Sequence, residues 1–306
     1  MDDLRFDGRV AVITGGGRGL GRSHALLLAR QGAKLVINDN GSAIVGEGTD
    51  AGPAQALVDE IKAMGGEAVA NTDSVATPEG GAAIIQTALD AFGRIDVLVH
   101  NAGNVRYGSL SEISYEDFRA VLDVHLLGAF HVVRPAFPHM MAQQYGRIVL
   151  TSSIGGVYGN QRCVNYGVSK SGMIGLNNIA ALEGEGSNVK SNIIVPSAVT
   201  RMAEGLDISQ YPPMEPELVS PTVGWLAHED CNLTGEMIGS IGGRISRLYV
   251  AETVGVYRPS WTMREVGELM PAIHDKAGAN DFGLHGHVAH IGYSFQMARG
   301  AIQGMA

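Results

Sequence analysis

Cysteine is nearly missing from this chain: Cys163 and Cys231 are the only two, and they form no CxxC pair. A disulfide framework is therefore not expected, and a reducing compartment fits. Basic residues are also few, with 22 Lys and Arg against 31 Asp and Glu and a formal net charge of −9. No basic run occurs, which argues against a nucleic-acid partner. No stretch of ~18 consecutive apolar residues is present, so no membrane partner is expected. Met1-Asp2-Asp3-Leu4-Arg5 is acidic and lacks the apolar core of a signal peptide. Gln303-Gly304-Met305-Ala306 is not a peroxisomal address. Together these absences lead to the expectation of a cytoplasmic enzyme.

What the chain does have is glycine, 42 of 306 residues, with no collagen-like period, and an apolar fraction of 45%. That length suits one large domain or one domain with an appendage. Short β-branched runs at 10–13, 34–38, 67–71, 95–100, 147–151 and 191–195 read as strands buried on both faces. Helical stretches fall between them at about 22–31, 53–64, 78–92, 114–143 and 166–186. Gly32 is the expected stop of the first of these, and a break near Pro135 or Pro138 is the expected fault in the long one. Regular β-α alternation predicts an α/β fold, a doubly wound parallel sheet with helices on both faces. Residues 40–52 form a long Gly-rich connection, and 200–221 are irregular and rich in Pro and Met. The rhythm stops near residue 246, which predicts a dinucleotide-binding and catalytic domain over 1–246 and an extension over 247–306. Six aromatic residues in that extension, among them Trp261 and Phe295, predict that it buries apolar surface on the domain or on a dimer partner. Thr262 and Glu265 have the spacing of a capping box that opens a helix reaching about Asp275.

The chemistry is carried by three groups of residues. Thr14-Gly15-Gly16-Gly17-Arg18-Gly19-Leu20-Gly21 lies between a strand and a helix. There glycines let the backbone approach a pyrophosphate, and the helix start supplies N–H groups and partial positive charge. Asp39 ends the second strand, 18 residues after Gly21, where an acidic residue accepts hydrogen bonds from an adenosine ribose and repels a 2′-phosphate. NAD is the expected cofactor on this ground, while Arg18 favours NADP by offering that phosphate a partner. Tyr166 and Lys170 are four apart on one helix face, and Ser153 lies 13 residues before Tyr166 just past a strand. Moving a hydride to or from an alcohol carbon requires a poised acid/base. A neighbouring ammonium is expected to lower the phenol's ordinary pKa of ~10.

With T-G-x-x-x-G-x-G at 14–21, Asn101-Ala102-Gly103, Ser153 and Tyr166-x-x-x-Lys170, residues 7–246 resemble the short-chain dehydrogenase/reductase family. The resemblance implies a Rossmann-type fold, an oxidoreductase activity and Ser153, Tyr166 and Lys170 as catalytic residues. It also implies a nicotinamide cofactor against Asn101-Ala102-Gly103, adenine near Asp73 and Ser74, and nicotinamide near Pro196 and Thr200. Two positions depart from the family pattern: His125 stands where a fourth catalytic residue, asparagine, is usual, and Pro196-Ser197 stands where Pro-Gly is usual. The stretches at 4–10, 68–75, 90–96 and 145–148, with the 40–52 connection, His125, Tyr158-Gly159-Asn160 and the extension, resemble one subgroup more closely. That subgroup is the (3R)-hydroxyacyl-CoA dehydrogenase unit of the peroxisomal multifunctional enzyme type 2 and its bacterial relatives. It implies a hydroxyacyl-CoA or steroid-like alcohol as the small-molecule substrate and a homodimer or homotetramer.

Other readings stay open at this point. The alternatives are an NADP-dependent carbonyl reductase and a non-catalytic NAD-sensing module on the same fold. Arg106 and Arg201 are candidates for CoA phosphates, against a plain solvated role. Met202, Met214, Val157 and Tyr158 are candidates for a substrate wall, against core packing. His285, His287 and His290 lack carboxylates at ligand spacing, so no metal is expected.

Overall fold

The computed structural model describes residues 4–199 and 212–300. The chain divides into two compact units, Met1–Arg247 and Leu248–Ala306. In the first, strands β1 (Val10–Thr14), β2 (Lys34–Asn38), β3 (Ala68–Asn71), β4 (Val97–His100), β5 (Gly146–Thr151), β6 (Val189–Ser197), β7 (Met237–Ile241) and β8 (Arg244–Leu248) form one sheet. Their order is β3-β2-β1-β4-β5-β6-β7-β8. All pairs from β3 to β7 are parallel. The two-residue connection Gly242-Gly243 makes β8 an antiparallel edge, since a parallel partner needs a long crossover. Val10, Ala11, Val12 and Ile13 are essentially without exposure, as are Leu35, Val36 and Ile37. This is why these runs are continuously apolar rather than alternating: helices cover both faces.

The helices are α1 (Gly19–Arg30), α2 (Gly52–Ala63), α3 (Pro78–Phe92), α4 (Tyr115–Leu122), α5 (Gly128–Ala142), α6 (Ile154–Val157), α7 (Val164–Gly184) and α8 (Ser220–Ala227). The fold is thus the doubly wound α/β architecture read from the sequence. The chain winds outward from β1 to β3, then returns to place β4 on the other side of β1. A crevice opens at such a reversal, beyond the carboxyl ends of β1 and β4.

The long helix breaks elsewhere than expected. Pro135 and Pro138 both lie inside α5. The irregularity is one π-turn, Asp123–Leu127, between α4 and α5, and such turns concentrate at functional sites. Taken as one helix, Tyr115–Ala142 is long and apolar enough to cross a membrane by length and composition, which a search for unbroken apolar runs overlooked. In the fold its apolar face, with Val121, Ala129, Val132 and Ala136 fully buried, packs on α3 and α7.

The second unit contains α9 (Met263–Ile273) and α10 (Gly286–Ala298); the sequence pattern pointed only to α9. Thr262 and Glu265 form the capping box in both directions. An isolated bridge joins Glu252 to Asn280. His290 Nδ1 lies 2.8 Å from Glu252 Oε2, and Phe282 meets the rings of His290 and Tyr293 edge-on.

Candidate active site

At the crevice, the backbone itself forms the floor. Gly15 has φ +60°, and a Cβ there would stand 2.8 Å from Ala102 Cα; a Cβ at Gly21 would stand 2.1 Å from the Gly15 carbonyl oxygen. Only glycine permits both approaches. Asn101 Nδ2 donates to the Gly15 carbonyl at 3.0 Å, and Thr14 Oγ1 accepts from the Asn101 and Ala102 N–H groups. The turn after β1 and the loop after β4 are thereby locked together. Helix α1 begins at Gly19 with no side-chain cap from Arg18, so its first N–H groups face the cleft with no capping partner from that residue.

The cleft has a volume of about 350 Å³. Of the residues expected at a cofactor, Gly15, Arg18, Gly19, Leu20 and Asp39 line one side of it. Asp73, Ser74, Asn101, Ala102 and Gly103 line the other. Gly17 does not line it; its N–H points behind the turn to Asp39 Oδ2 at 2.9 Å. The other Asp39 oxygen accepts from Gly41 N–H at 2.8 Å. Two backbone donors thus fix the carboxylate's orientation at the cleft wall. Arg18 reaches Asp50, with 3.9 Å between Nη2 and Oδ2. Asn38 Nδ2 donates to Asn71 Oδ1 and to the Asp73 carbonyl, both at 2.8 Å, and Asn71 Nδ2 donates to Asp73 Oδ2 at 2.7 Å. A glycine cradle at an open helix start, with a fixed carboxylate one strand away, fits a dinucleotide. Pro196 lies on β6 beside Ser240 of β7 and is half-buried. Thr200, Arg201 and Met202 lie outside the described residues.

The expected catalytic residues come together on α6 and α7. Ser153 caps α6, accepting from Gly155 N–H at 3.1 Å, and its hydroxyl lies close enough to the Tyr166 phenol to lower its pKa. Lys170 is buried; its ammonium donates to the Thr151 carbonyl at 2.5 Å and lies 5.5 Å from the Tyr166 ring centre. Burial pulls the Lys170 pKa down to about 7. Burial also raises the Tyr166 phenol above its ordinary 10, against the lowering effect of Ser153. This reverses the expected direction: the ammonium is held by a carbonyl and is itself destabilised, and desolvation of the phenol outweighs the lowering effect of Ser153. Among the other candidates, Tyr158 is 77% exposed, and Val157 and Met214 are half-buried.

Several residues at the site escaped sequence reasoning. Ser42, Ala43, Ile44 and Gly46, from the 40–52 connection, line the cleft. Ile44 accepts from Val105 N–H at 3.0 Å, so this connection is a strap tied to the loop after β4. Its unusual length was the available signal. Arg106 is not a free phosphate ligand: it donates to Val45 O at 3.0 Å and to Asp117 Oδ1 at 2.8 Å, with Glu47 at 3.6 Å. Asn165, fully buried, donates to the Arg106 and Asp117 carbonyls and accepts from Tyr166 N–H at 2.8 Å. His125 Nε2 contacts the Asn104 backbone at 2.8 Å to O and 3.1 Å to N, and its ring meets Tyr166 edge-on with centres 5.2 Å apart. A Cβ at Gly103 would stand 2.4 Å from His125 Cε1, so the third residue of Asn101-Ala102-Gly103 is glycine to admit that imidazole.

Comparison with known proteins agrees with this geometry. Residues 9–208 match the short chain dehydrogenase family model. The chain is 46% identical over 287 residues to peroxisomal multifunctional enzyme type 2 of Drosophila melanogaster, covering 92% of this chain and 47% of that protein; it thus spans about half of that relative's length. It is 42% identical over 284 residues to a short-chain type dehydrogenase/reductase of Mycobacterium tuberculosis, covering 90% of this chain and 97% of the relative. A crystal structure of a short chain dehydrogenase from Mycobacterium avium superposes with a TM-score of 0.79 at 39% identity, covering 88% of this chain and 96% of that one. With the crevice, the glycine cradle and the Ser153, Tyr166 and Lys170 grouping in place, the chain belongs to the short-chain dehydrogenase family of nicotinamide-dependent oxidoreductases.

Proposed function

We propose that the protein is an NAD-dependent dehydrogenase acting on a (3R)-hydroxyacyl-CoA or a related bulky secondary alcohol such as a steroid, with Tyr166 as its acid/base. The observation that carries the cofactor reading is Asp39, a carboxylate held at the cleft wall by two backbone N–H groups. Its position suits ribose hydroxyls and opposes a 2′-phosphate. Arg18, the residue that favours NADP, is drawn toward Asp50 instead.

Bound nicotinamide supplies the hydride acceptor or donor; the chain's residues handle the oxygen and the proton. Ser153 holds the substrate oxygen beside Tyr166. The phenol, raised by burial, is protonated near neutrality in the unliganded protein, the state that donates to a carbonyl oxygen in reduction. In oxidation the phenolate form of Tyr166, reached after the phenol has given up its own proton, takes the hydroxyl proton, and nearby positive charge favours that form. Lys170, with its pKa near 7, supplies such charge and exchanges its proton readily at working pH. A sensor that only bound NAD would have no use for Ser153 placed beside Tyr166.

The substrate reading rests on the subgroup resemblance and on the exposed side chains of the flanking segments. Tyr107, Leu110, Ile154 and Tyr158 are between 43% and 80% exposed. The loop bearing Tyr107 and Leu110 is bonded to the segment before α7 through Gly108 N–H and the Arg162 carbonyl. These side chains offer apolar area to a substrate whose bulk lies away from its reacting carbon. Homo-oligomerisation belongs to the same proposal, supported by exposed Phe130, Val168 and Ile179 on α5 and α7. So does a cytoplasmic location, supported by two free, buried cysteines. A panel of hydroxyacyl-CoA and steroid alcohols assayed with NAD and NADP tests the proposal. Turnover of an acyl-CoA or steroid with NAD at least about tenfold better than with NADP is expected. Equal use of both cofactors sinks the Asp39 argument, and inactivity across the panel sinks the substrate class.

A further inference from the structure

His100 ends β4, one residue before the loop that lines the cleft, and it is fully buried. Both of its ring nitrogens are committed, and their roles follow from the neighbours. Thr14 Oγ1 already accepts two N–H groups, from Asn101 at 3.1 Å and Ala102 at 3.2 Å, which occupies both lone pairs. Its hydroxyl hydrogen is therefore directed to His100 Nδ1, 3.0 Å away, and Nδ1 accepts. Burial, reinforced by the charge of Lys170, keeps the imidazole neutral. A neutral ring that accepts at Nδ1 carries its proton on Nε2. That N–H donates to the His125 carbonyl oxygen at 3.1 Å.

The His125 carbonyl belongs to the π-turn, where it accepts from the Gly128 N–H and, with its second lone pair, from His100 across the fold. The same residue's side chain reaches the Asn104 backbone and lays its ring edge against Tyr166. A directed series thus runs from the threonine of the glycine turn, through His100, to the π-turn and on to the phenol. The titratable groups facing it are Lys170 and Tyr166 from α7 and His125 from the π-turn itself.

We infer that His100 is a positioning residue for Tyr166: a fixed Nε2–H imidazole that ties Thr14 to the π-turn bearing His125 and so sets where the phenol stands relative to the cofactor turn. This rests on the reading of Tyr166 as the acid/base. Three variants of the full chain test it: His100→Gln, which retains a donor and an acceptor, His100→Leu, which retains neither, and Tyr166→Phe as control. His100→Leu is expected to lose at least about tenfold in kcat while its NADH affinity, read by fluorescence, stays within about threefold, and His100→Gln to recover most of the loss. A His100→Leu protein with wild-type kcat overturns the inference. So does one whose loss lies in NADH binding instead, and so does a Gln variant as slow as Leu. Should His100→Leu not fold, ¹⁵N-histidine NMR of the wild-type protein decides. A His100 signal in the Nε2–H form, unchanged from about pH 8 to 5, is expected, and an Nδ1–H form or a titration in that range refutes it. A Tyr166→Phe variant that keeps its activity removes the acid/base reading, whereas the NMR result still reports on the His100 bonding.

Discussion

The cofactor cleft, which is the binding end of the site, and the Ser153, Tyr166 and Lys170 group, its reaction end, which does not itself line the cleft, solve opposite problems. At the adenosine end, Asp39, Asn38, Asn71 and Asp73 all have partners, and those partners are mostly backbone groups. At the reaction end, buried polar atoms are left over: His125 Nδ1 and Thr151 Oγ1 have no hydrogen-bond partner, and Lys170 is buried with its pKa pulled to about 7. Native proteins rarely leave such groups unmatched. The binding end has its polar groups paired before anything binds, whereas the reacting end holds its polar groups in an environment that costs stability and makes protons easy to move.

The sharpest way to break this contrast is at Tyr166. Tyr166→Phe is expected to keep NAD affinity and to lose kcat by about three orders of magnitude or more, because the proton carrier is gone while the cofactor end is untouched. Steady-state kinetics with calorimetry checks it, and a variant above about a tenth of wild-type kcat shows that another group is the base.

Lys170→Met is next, and its effect on stability has the unusual sign. In the folded protein the amine loses its proton near pH 7, and in the unfolded chain near 10.5. Across that window the unfolded chain binds the extra proton, so stability rises with pH from about 7 to 10.5 and is flat below. The penalty at and below neutrality is at most roughly 4–5 kcal/mol. Lys170→Met is expected to be inactive, yet to melt at a higher temperature than wild type at pH 6, with the gap closing toward pH 10. Equal or lower melting temperatures at pH 6 contradict the burial argument.

Gly103→Ala tests how closely the two ends are joined. The added methyl meets the His125 ring well inside contact distance, so a loss of about 1–3 kcal/mol is expected. That should come with a fall in kcat larger than any change in cofactor affinity. Denaturant melts and kinetics check it, and a variant indistinguishable from wild type would show that His125 moves freely. The smallest expected effect is at the binding end: Asp39→Ala should shift cofactor preference toward NADP by about tenfold while kcat with NAD at saturation changes little. A matched pair of KM measurements checks this.

Much of this was legible in the chain. Strand runs such as Val10–Ile13 announce themselves because burial on two faces demands unbroken apolar character, and Ser153, Tyr166 and Lys170 are marked by spacing. The helix fault was not legible. Prolines at 135 and 138 advertise a break, whereas the π-turn at Asp123–Leu127 contains no breaker residue. One of its carbonyls, that of His125, also meets a distant histidine on β4, a contact that no local pattern contains. The direction of the Tyr166 shift was hidden for a similar reason, since four-residue spacing reveals a neighbour but not how dry the pair is. Arg106 reads in the sequence as either a phosphate ligand or a solvated cation because its partners, Val45, Glu47 and Asp117, are remote or unremarkable in sequence.

Arg106 also makes two distant segments share one fate. By gripping the strap at Val45 and α4 at Asp117, it turns a surface connection and the helix leading into the π-turn into a single cooperative unit. Amide exchange in residues 40–47 and in Tyr115–Leu122 should therefore slow together when a dinucleotide settles against Asp39, and Arg106→Met should let the two segments open independently.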